Sequence, residues 1–596
     1  MEEKRTIERL WRDAVAAGRT TPAYLVQDGA EWRPLSWAEA AERVESYANG
    51  LLSLGVRKGD AFAILGSSRV EWALFDFALG SVGAIGAAIY ANSSPKDAGY
   101  ILRHSESIGV LCEDETQRAK VESVRGDAPD LRHVLTYADL DDLAARGRAF
   151  AAEHPNGLRE AAARIEEDDL FTYIYTSGTT GPPKGCMISH RNYYAMVAVV
   201  DDLPSFTGPE DTMLLYLPLA HNFGRLMHLS GAYVGYAIAF LPDPLQAAAA
   251  LPAVKPTVFP SVPRVYEKIH TAVVAKFDAE KGAKRKLIDW ALDVGGRVST
   301  LQRSGQPVPR GLLLQHRLAD RLVYAKVKDR LGGRLRLAIS GGAPLSAEIA
   351  EFFHAIDILL IEGYGLTECT TAASTNTHDA FRFGTVGRAL PGTELKVAED
   401  GELLIRSETI FQGYYKDPDA TAEVLDADGW LRSGDIAEID ADGFVTITDR
   451  KKDIIVTAGG KNVAPQNLEN DLKASKYISQ AMVVGDRQPY IAALITLDPE
   501  SLPVWAEERG LPTDMESLAR SDEVRALVQG IVDGVNAERS RYEQVKRFTI
   551  LPRDFTMDAE ELTPTLKLKR RVVAEHFGAE LGELYEGETL NQAAGI

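Results

Sequence analysis

Three cysteines in 596 residues, Cys112, Cys186 and Cys369, are too few and too scattered for a disulfide framework or a cysteine-ligated metal. That scarcity fits a reducing compartment, so a cytoplasmic location is expected. No run of about 18 apolar residues is present to cross a bilayer as a helix. The strongest candidate, ALGSVGAIGAAIY (Ala78 to Tyr90), is short, rich in glycine and reads as buried packing. The opening MEEKRTIERLWRDAV is charged where a secretory leader has an apolar core, so no leader is expected. Basic residues are also in deficit, 66 Lys and Arg against 86 Asp and Glu, for a net charge of −20. Such a chain lacks the basic footprint of a nucleic-acid-binding protein. Two local basic runs stand against that background, KGAKRK (Lys281 to Lys286) and KLKRR (Lys567 to Arg571), each read first as a solvated helix face.

What is present is the composition of a folded protein, 45% hydrophobic and 26% charged, in a chain long enough for more than one core. ERLWRDAVAAG and SWAEAAERVESYANGLLSLG have helical periodicity, the second ending at a glycine stop. DAFAILG, IGVLCED and DTMLLYLP read as short buried strands. Alternation of the two predicts an α/β architecture with mostly parallel sheets. A charged, helix-like insertion is expected at about 271–332 and a β-rich module at about 384–449, its strands separated by DG turns. The charge-dense DRKKD then opens a small α+β segment. The expected layout is a large domain over 1–451 and a smaller one over 452–596. Within the large domain lie two α/β subdomains and a small barrel-like β module.

One stretch concentrates phosphate-binding chemistry: YIYTSGTTGPPKGCMISH, Tyr173 to His190. A P-loop needs G-x-x-x-x-G-K-[ST] and a helix whose N-terminus faces the phosphates. Here Pro183 stands five places after Gly178, Gly185 follows Lys184, and Pro182-Pro183 bars a helix at that point. What remains is a Gly/Ser/Thr loop whose N–H groups and hydroxyls can wrap a polyphosphate, with Lys184 as a point charge. Thr176, Ser177, Gly178, Thr179 and Thr180 are the candidate phosphate ligands.

YTSGTTGPPKG resembles the signature of the adenylate-forming superfamily of acyl-CoA synthetases, luciferases and adenylation domains. Further motifs follow in the order of that superfamily. YGLTE (Tyr364 to Glu368) is similar to its second signature, which implies that Glu368 binds magnesium and that Thr367 lies near the α-phosphate. SGD (Ser433 to Asp435) resembles the segment whose Asp, here Asp435, holds the ribose hydroxyls. DRKKD (Asp449 to Asp453) resembles the hinge, placing Arg450 on the ribose and Lys452 at the pivot. TPTLKLKRR (Thr563 to Arg571) resembles the C-terminal motif and makes Lys567 the catalytic lysine, although TLK replaces the familiar S/T-G-K. SGGAPLS (Ser340 to Ser346), with Gly341 and Gly342, resembles the adenine-side loop. Tyr364, followed by Gly365, is the residue to stack on adenine. His221 in LPLAHNFGR corresponds to a residue bordering the acyl pocket.

These positions also suit the chemistry. A carboxylate attacking the α-phosphorus of ATP builds charge on phosphate oxygens and expels pyrophosphate, a transfer catalysed by positioning and electrostatics. A Mg²⁺ ion on Glu368, with the Thr179 hydroxyl, would neutralise the phosphates. The helical insertion and the large terminal segment resemble long-chain and bubblegum-type enzymes. The resemblance therefore implies a long-chain-fatty-acid–CoA ligase acting on fatty acid, ATP and CoA. It leaves open peripheral membrane contact and a homodimer. The alternatives are an acyl-AMP ligase that hands its product to an acyl carrier protein, a luciferase-type enzyme and a non-catalytic lipid- or nucleotide-binding module.

Overall fold

The strand Ala61–Gly66 (AFAILG) is buried at every position, the pattern of a parallel strand covered on both faces. In the computed structural model, which describes residues 4–29, 31–176, 182–203, 205–537, 539–563 and 567–585, it lies inside a six-stranded sheet. Its neighbours are Gly109–Cys112 and Ile85–Tyr90, both parallel; beyond them lie His133–Thr136 on one side and Leu170–Thr176 on the other. The edge strand Lys184–Ser189 runs antiparallel to Leu170–Thr176. The loop signature thus spans a β-hairpin, not a strand-to-helix turn, as Pro182-Pro183 requires.

A nine-stranded sheet has at its centre the parallel strands Ala237–Phe240, Thr212–Leu215, Val258–Ser261, Leu337–Ser340 and Leu359–Tyr364. The two sheets and their helices make the α/β architecture read from the alternating pattern. ALGSVGAIGAAIY divides between the buried helix Val70–Val82 and the strand Ile85–Tyr90, turning at Gly83 with φ +74°. The helix Trp37–Ser53 starts on a capping box between Ser36 and Glu39. The helices Pro263–Ala279, Ala283–Arg303 and Arg310–Ala319 follow in one series, continued by a π turn Asp320–Tyr324 and by Ala325–Arg330. Further on, Thr393–Val397, Glu402–Ser407, Leu431–Ile439 and Val445–Arg450 form a four-stranded sheet.

The chain divides into two units. The larger comprises Met1–Lys396, Leu404–Ser433 and Ile439–Thr446; the smaller comprises Val397–Leu403, Gly434–Glu438 and Ile447–Ile596. The smaller unit has its own core, in which a three-stranded sheet (Ile478–Val484, Ile491–Leu497, Val545–Ile550) packs on Pro465–Lys473 and Asp522–Ala537. Among the described residues no helix is long and apolar enough to cross a membrane.

One polar contact lies inside the larger unit's apolar interior. Arg225, fully buried on the helix Asn222–Val234, donates from Nε to Asp76 Oδ2 at 3.0 Å, from Nη2 to Asp76 Oδ1, and from Nη1 to Thr172 Oγ1 at 2.6 Å. Its guanidinium lies 4.6 Å from the Phe171 ring centre and 5.2 Å from that of Trp72. Asp76 belongs to Val70–Val82 and Thr172 to Leu170–Thr176, so this arginine ties three elements together. His228, one turn on and 4.0 Å from Asp76, is pushed down to about 3 by burial and by the adjacent guanidinium, and stays neutral. Losing one member of a buried pair strands the other charge and costs about 3–5 kcal/mol. Asp76→Ala should therefore lower unfolding stability by about that amount. The double variant Asp76→Leu/Arg225→Met should lose clearly less than Asp76→Ala, measured by urea denaturation.

Candidate active site

The N-terminus of Asn222–Val234 is where the expected site residues of the larger unit begin to meet. His221 is its N-cap, Nδ1 accepting from Phe223 N–H at 3.2 Å. Asn222 donates from Nδ2 to the Thr367 carbonyl at 3.2 Å and accepts from Tyr193 Oη at 2.5 Å. Thr371 Oγ1 donates to the Asn222 carbonyl at 3.1 Å. Phe223 packs against Gly341, where an added Cβ would come within 3.2 Å of its ring. One helix end thus touches both the Gly341–Gly342 loop and the YGLTE turn.

YGLTE leaves the strand Leu359–Tyr364 and enters a 3-10 turn, Thr367–Cys369. Gly365 is required there, since a Cβ would meet the Thr371 carbonyl at 1.8 Å. The half-buried Glu368 accepts from Tyr414 Oη at 2.6 Å. Burial, then the charge of Glu368, push the Tyr414 phenol pKa up, so it stays a proton donor. Tyr414 sits in a segment that pairs with the hairpin strand: Met187 N–H donates to the Gly413 carbonyl at 2.9 Å and Tyr415 N–H to the Gly185 carbonyl at 2.8 Å. Lys184 lies with Nζ 4.9 Å from the Tyr414 ring centre and 3.9 Å from Asp417 Oδ2. Thr176 is opposite Lys184 in the hairpin register. Lys184 and Glu368 are therefore gathered around one tyrosine, with Thr176 across the hairpin, while Ser177, Gly178, Thr179 and Thr180 lie outside the described residues.

The residues expected on the adenine side stand at the carboxyl ends of adjacent parallel strands, the usual ligand edge of an α/β sheet. Gly341 and Gly342 follow Leu337–Ser340, Gly342 with φ +83°, and Gly341 N–H donates to the Ser261 carbonyl at 3.2 Å. Tyr364 closes the next strand. Glu362, two residues earlier and buried, accepts from Leu345 N–H at 2.9 Å and so fixes the far end of the glycine loop. Burial pushes its carboxyl up to about 8.

The remaining expected residues belong to the smaller unit. Asp435 is buried, with Arg450 Nε 3.5 Å from its Oδ1. Lys452 is exposed in the turn that follows. Lys567 is exposed; its N–H donates to Thr563 Oγ1 at 3.0 Å and its carbonyl accepts from Thr563 N–H at 2.8 Å. Thr563 therefore bonds both the N–H and the carbonyl of Lys567.

Three residues of this constellation escape motif reading: Asn222, Glu362 and Tyr414. Asn222 directly follows the singled-out His221, and Glu362 stands two places before Tyr364. Tyr414 carries no local signal beyond FQGYYKD, because its partners come from distant segments.

The family model for AMP-binding enzymes matches residues 11–415, and that for the AMP-binding enzyme C-terminal domain matches 452–589. The long-chain-fatty-acid–CoA ligase FadD15 of Mycobacterium bovis is 39% identical over 592 residues, covering 96% of each chain. The human long-chain-fatty-acid–CoA ligase ACSBG2 is 31% identical, covering 98% of this chain and 93% of its own. Among solved structures, the adenylation domain of a carboxylate reductase from Mycobacterium chelonae superposes with a TM-score of 0.75 at 24% identity, over 97% of this chain and 91% of the other. That likeness establishes the fold.

Glu362 gives a signed pH dependence. Its proton is held to about pH 8 in the folded protein but released near the ordinary 4.5 on unfolding. Its stabilising contribution is complete below the lower value and is lost as pH rises through the upper one. Glu362→Gln should therefore gain on the wild type as pH rises from about 5 to about 8, in thermal melts across that range. A stability difference that stays flat with pH would rule out a protonated Glu362.

Proposed function

Because the chain belongs to the AMP-binding enzyme family, we propose that it is a long-chain-fatty-acid–CoA ligase, activating a fatty acid with ATP and passing the acyl group to CoA. The observation that carries this reading is the junction at Tyr414, which joins the hairpin bearing Lys184 to Glu368. A hairpin cradle holding the β- and γ-phosphates, with a carboxylate at its base, suits release of both phosphates together. Near-full-length identity to long-chain ligases supports the substrate class.

The fatty acid carboxylate oxygen attacks the α-phosphorus, forming acyl-AMP as pyrophosphate leaves. The thiolate of CoA then attacks the acyl carbonyl, forming the thioester and releasing AMP. Lys184 binds phosphate; Gly341, Gly342, Tyr364 and Gly365 frame the adenine; Thr367 lies near the α-phosphate; His221 borders the acyl chain. On the smaller unit, Asp435 and Arg450 bind ribose, Lys452 is the pivot and Lys567 bridges the carboxylate and the α-phosphate. Among the described residues no group of three His, Cys, Asp or Glu forms a ready metal cage, which fits a cation bound largely through nucleotide phosphates. Mg²⁺ would be held by Glu368, with Thr179, and would neutralise charge on the phosphates.

Lys567→Ala should abolish pyrophosphate release from a long-chain acid, a loss of at least about 10²-fold. Thioester formation from synthetic acyl-AMP and CoA should survive in that variant. Equal loss of both steps would remove the role given to Lys567. A panel of acids of graded length, scored by pyrophosphate release with CoA present, should favour long chains over acetate and benzoate.

A further inference from the structure

The arginines of the basic runs conspicuous in the sequence are paired with acids. In KGAKRK, Arg285 pairs with Asp278 and Asp289, and Lys284 with Glu280. In KLKRR, Arg570 pairs with Glu469 at 2.7 Å and Arg571 with Glu575 at 2.7 Å. A different face carries both positive charge and apolar surface.

It lies along Arg310–Ala319 and the π turn Asp320–Tyr324. Leu312, His316, Ala319, Val323 and Tyr324 are buried, and Tyr324 Oη donates to the Ala291 carbonyl, seating this run on Ala283–Arg303. The opposite face shows Leu313, Leu314, Leu318 and Leu322 at 39%, 66%, 51% and 38% exposure. Four of the eleven exposed large hydrophobics among the described residues thus fall within ten positions, a concentration that scattered surface residues do not produce. Leu314, Leu318 and Leu322 recur at a spacing of four, which drifts by about 40° per step in an α-helix. The wider winding of the π turn counters that drift and keeps Leu322 in line.

Arg310, Arg317 and Arg321 are exposed beside these leucines, and among the described residues none of the three forms an ion pair. The acid of the same stretch, Asp320, is matched by Lys328 at 2.6 Å. Leucines that can enter an acyl layer, rimmed by arginines that can meet phosphate, are the composition of an interfacial helix. The charge selects the occupant. A second copy meeting this face about a two-fold axis would set arginine against arginine. An anionic phospholipid surface satisfies every group at once, and the rest of this acidic chain, repelled by it, restricts contact to this one face.

We propose that the Arg310–Tyr324 run is a docking surface for an anionic phospholipid bilayer, with Leu314 and Leu318 inserted among acyl chains and Arg317 and Arg321 on headgroup phosphates. The test is co-sedimentation of the full-length protein with vesicles, read without ATP, acid or CoA and therefore independently of the ligase reading. Vesicles of phosphatidylcholine with phosphatidylglycerol should bind the protein, phosphatidylcholine alone should bind it far less, and added salt should weaken binding. L314Q/L318Q and R317E/R321E should each reduce binding about tenfold or more, with thermal melts unchanged to show intact folding. Equal binding by wild type and both variants would overturn the proposal, as would failure of the wild type to bind anionic vesicles. A wild-type dimer that L314Q/L318Q converts to monomer, with no vesicle binding, would assign the face to a second copy instead.

Discussion

The buried Arg225–Asp76 pair is the constraint on which the rest of the larger unit depends. A guanidinium with no exposed surface must satisfy its donors internally, and it does so on Asp76 and Thr172, which belong to a helix and a strand distant in sequence. That requirement fixes the rotation and height of the helix Asn222–Val234. His221, Asn222 and Phe223 lie within about one turn of Arg225, so fixing one end of this short stretch fixes the other. Thr367 and Gly341 take their positions from it. An apolar residue in place of Arg225 could fill the volume, but it would not set one helix register against two other elements.

A second constraint is a tyrosine shared between segments. Tyr414 hydrogen-bonds Glu368, lies under Lys184 and is carried by backbone pairing to the hairpin strand. The hairpin and the YGLTE turn belong to different sheets. The segment around Tyr414 supplies the join. Glu362 acts comparably at the Gly341–Gly342 loop: a neutral carboxyl in a dry setting can accept the Leu345 N–H without bringing a charge into the loop.

Much of this was legible in the sequence. Pro182-Pro183 excluded a P-loop helix, and a strand stands in its place. Gly365 permits a close approach of backbone and Gly342 takes a positive φ, neither announced by its motif. The α/β alternation and the buried strands follow the apolar pattern. Other features depend on pairing across long stretches of chain, which no local pattern encodes. Asp76 and Arg225 stand 149 positions apart, and Tyr414 and Glu368 stand 46 apart. Glu362 reads as an ordinary acid until its burial is known. The basic runs read as solvated helix faces, and their arginines pair with Asp278, Asp289, Glu469 and Glu575, whereas the separated arginines of Arg310–Tyr324 form no run at all.

The central claim is that the hairpin cradle and Glu368 serve a reaction at the α-phosphorus in which the outer two phosphates leave as one. A single turnover with ATP labelled at the α-phosphate and oleate, without CoA, tests it most directly. The label should appear in acyl-adenylate and move to AMP when CoA is added, with unlabelled pyrophosphate released. Label recovered in ADP would contradict the account, because it would mean chemistry at the γ-phosphate.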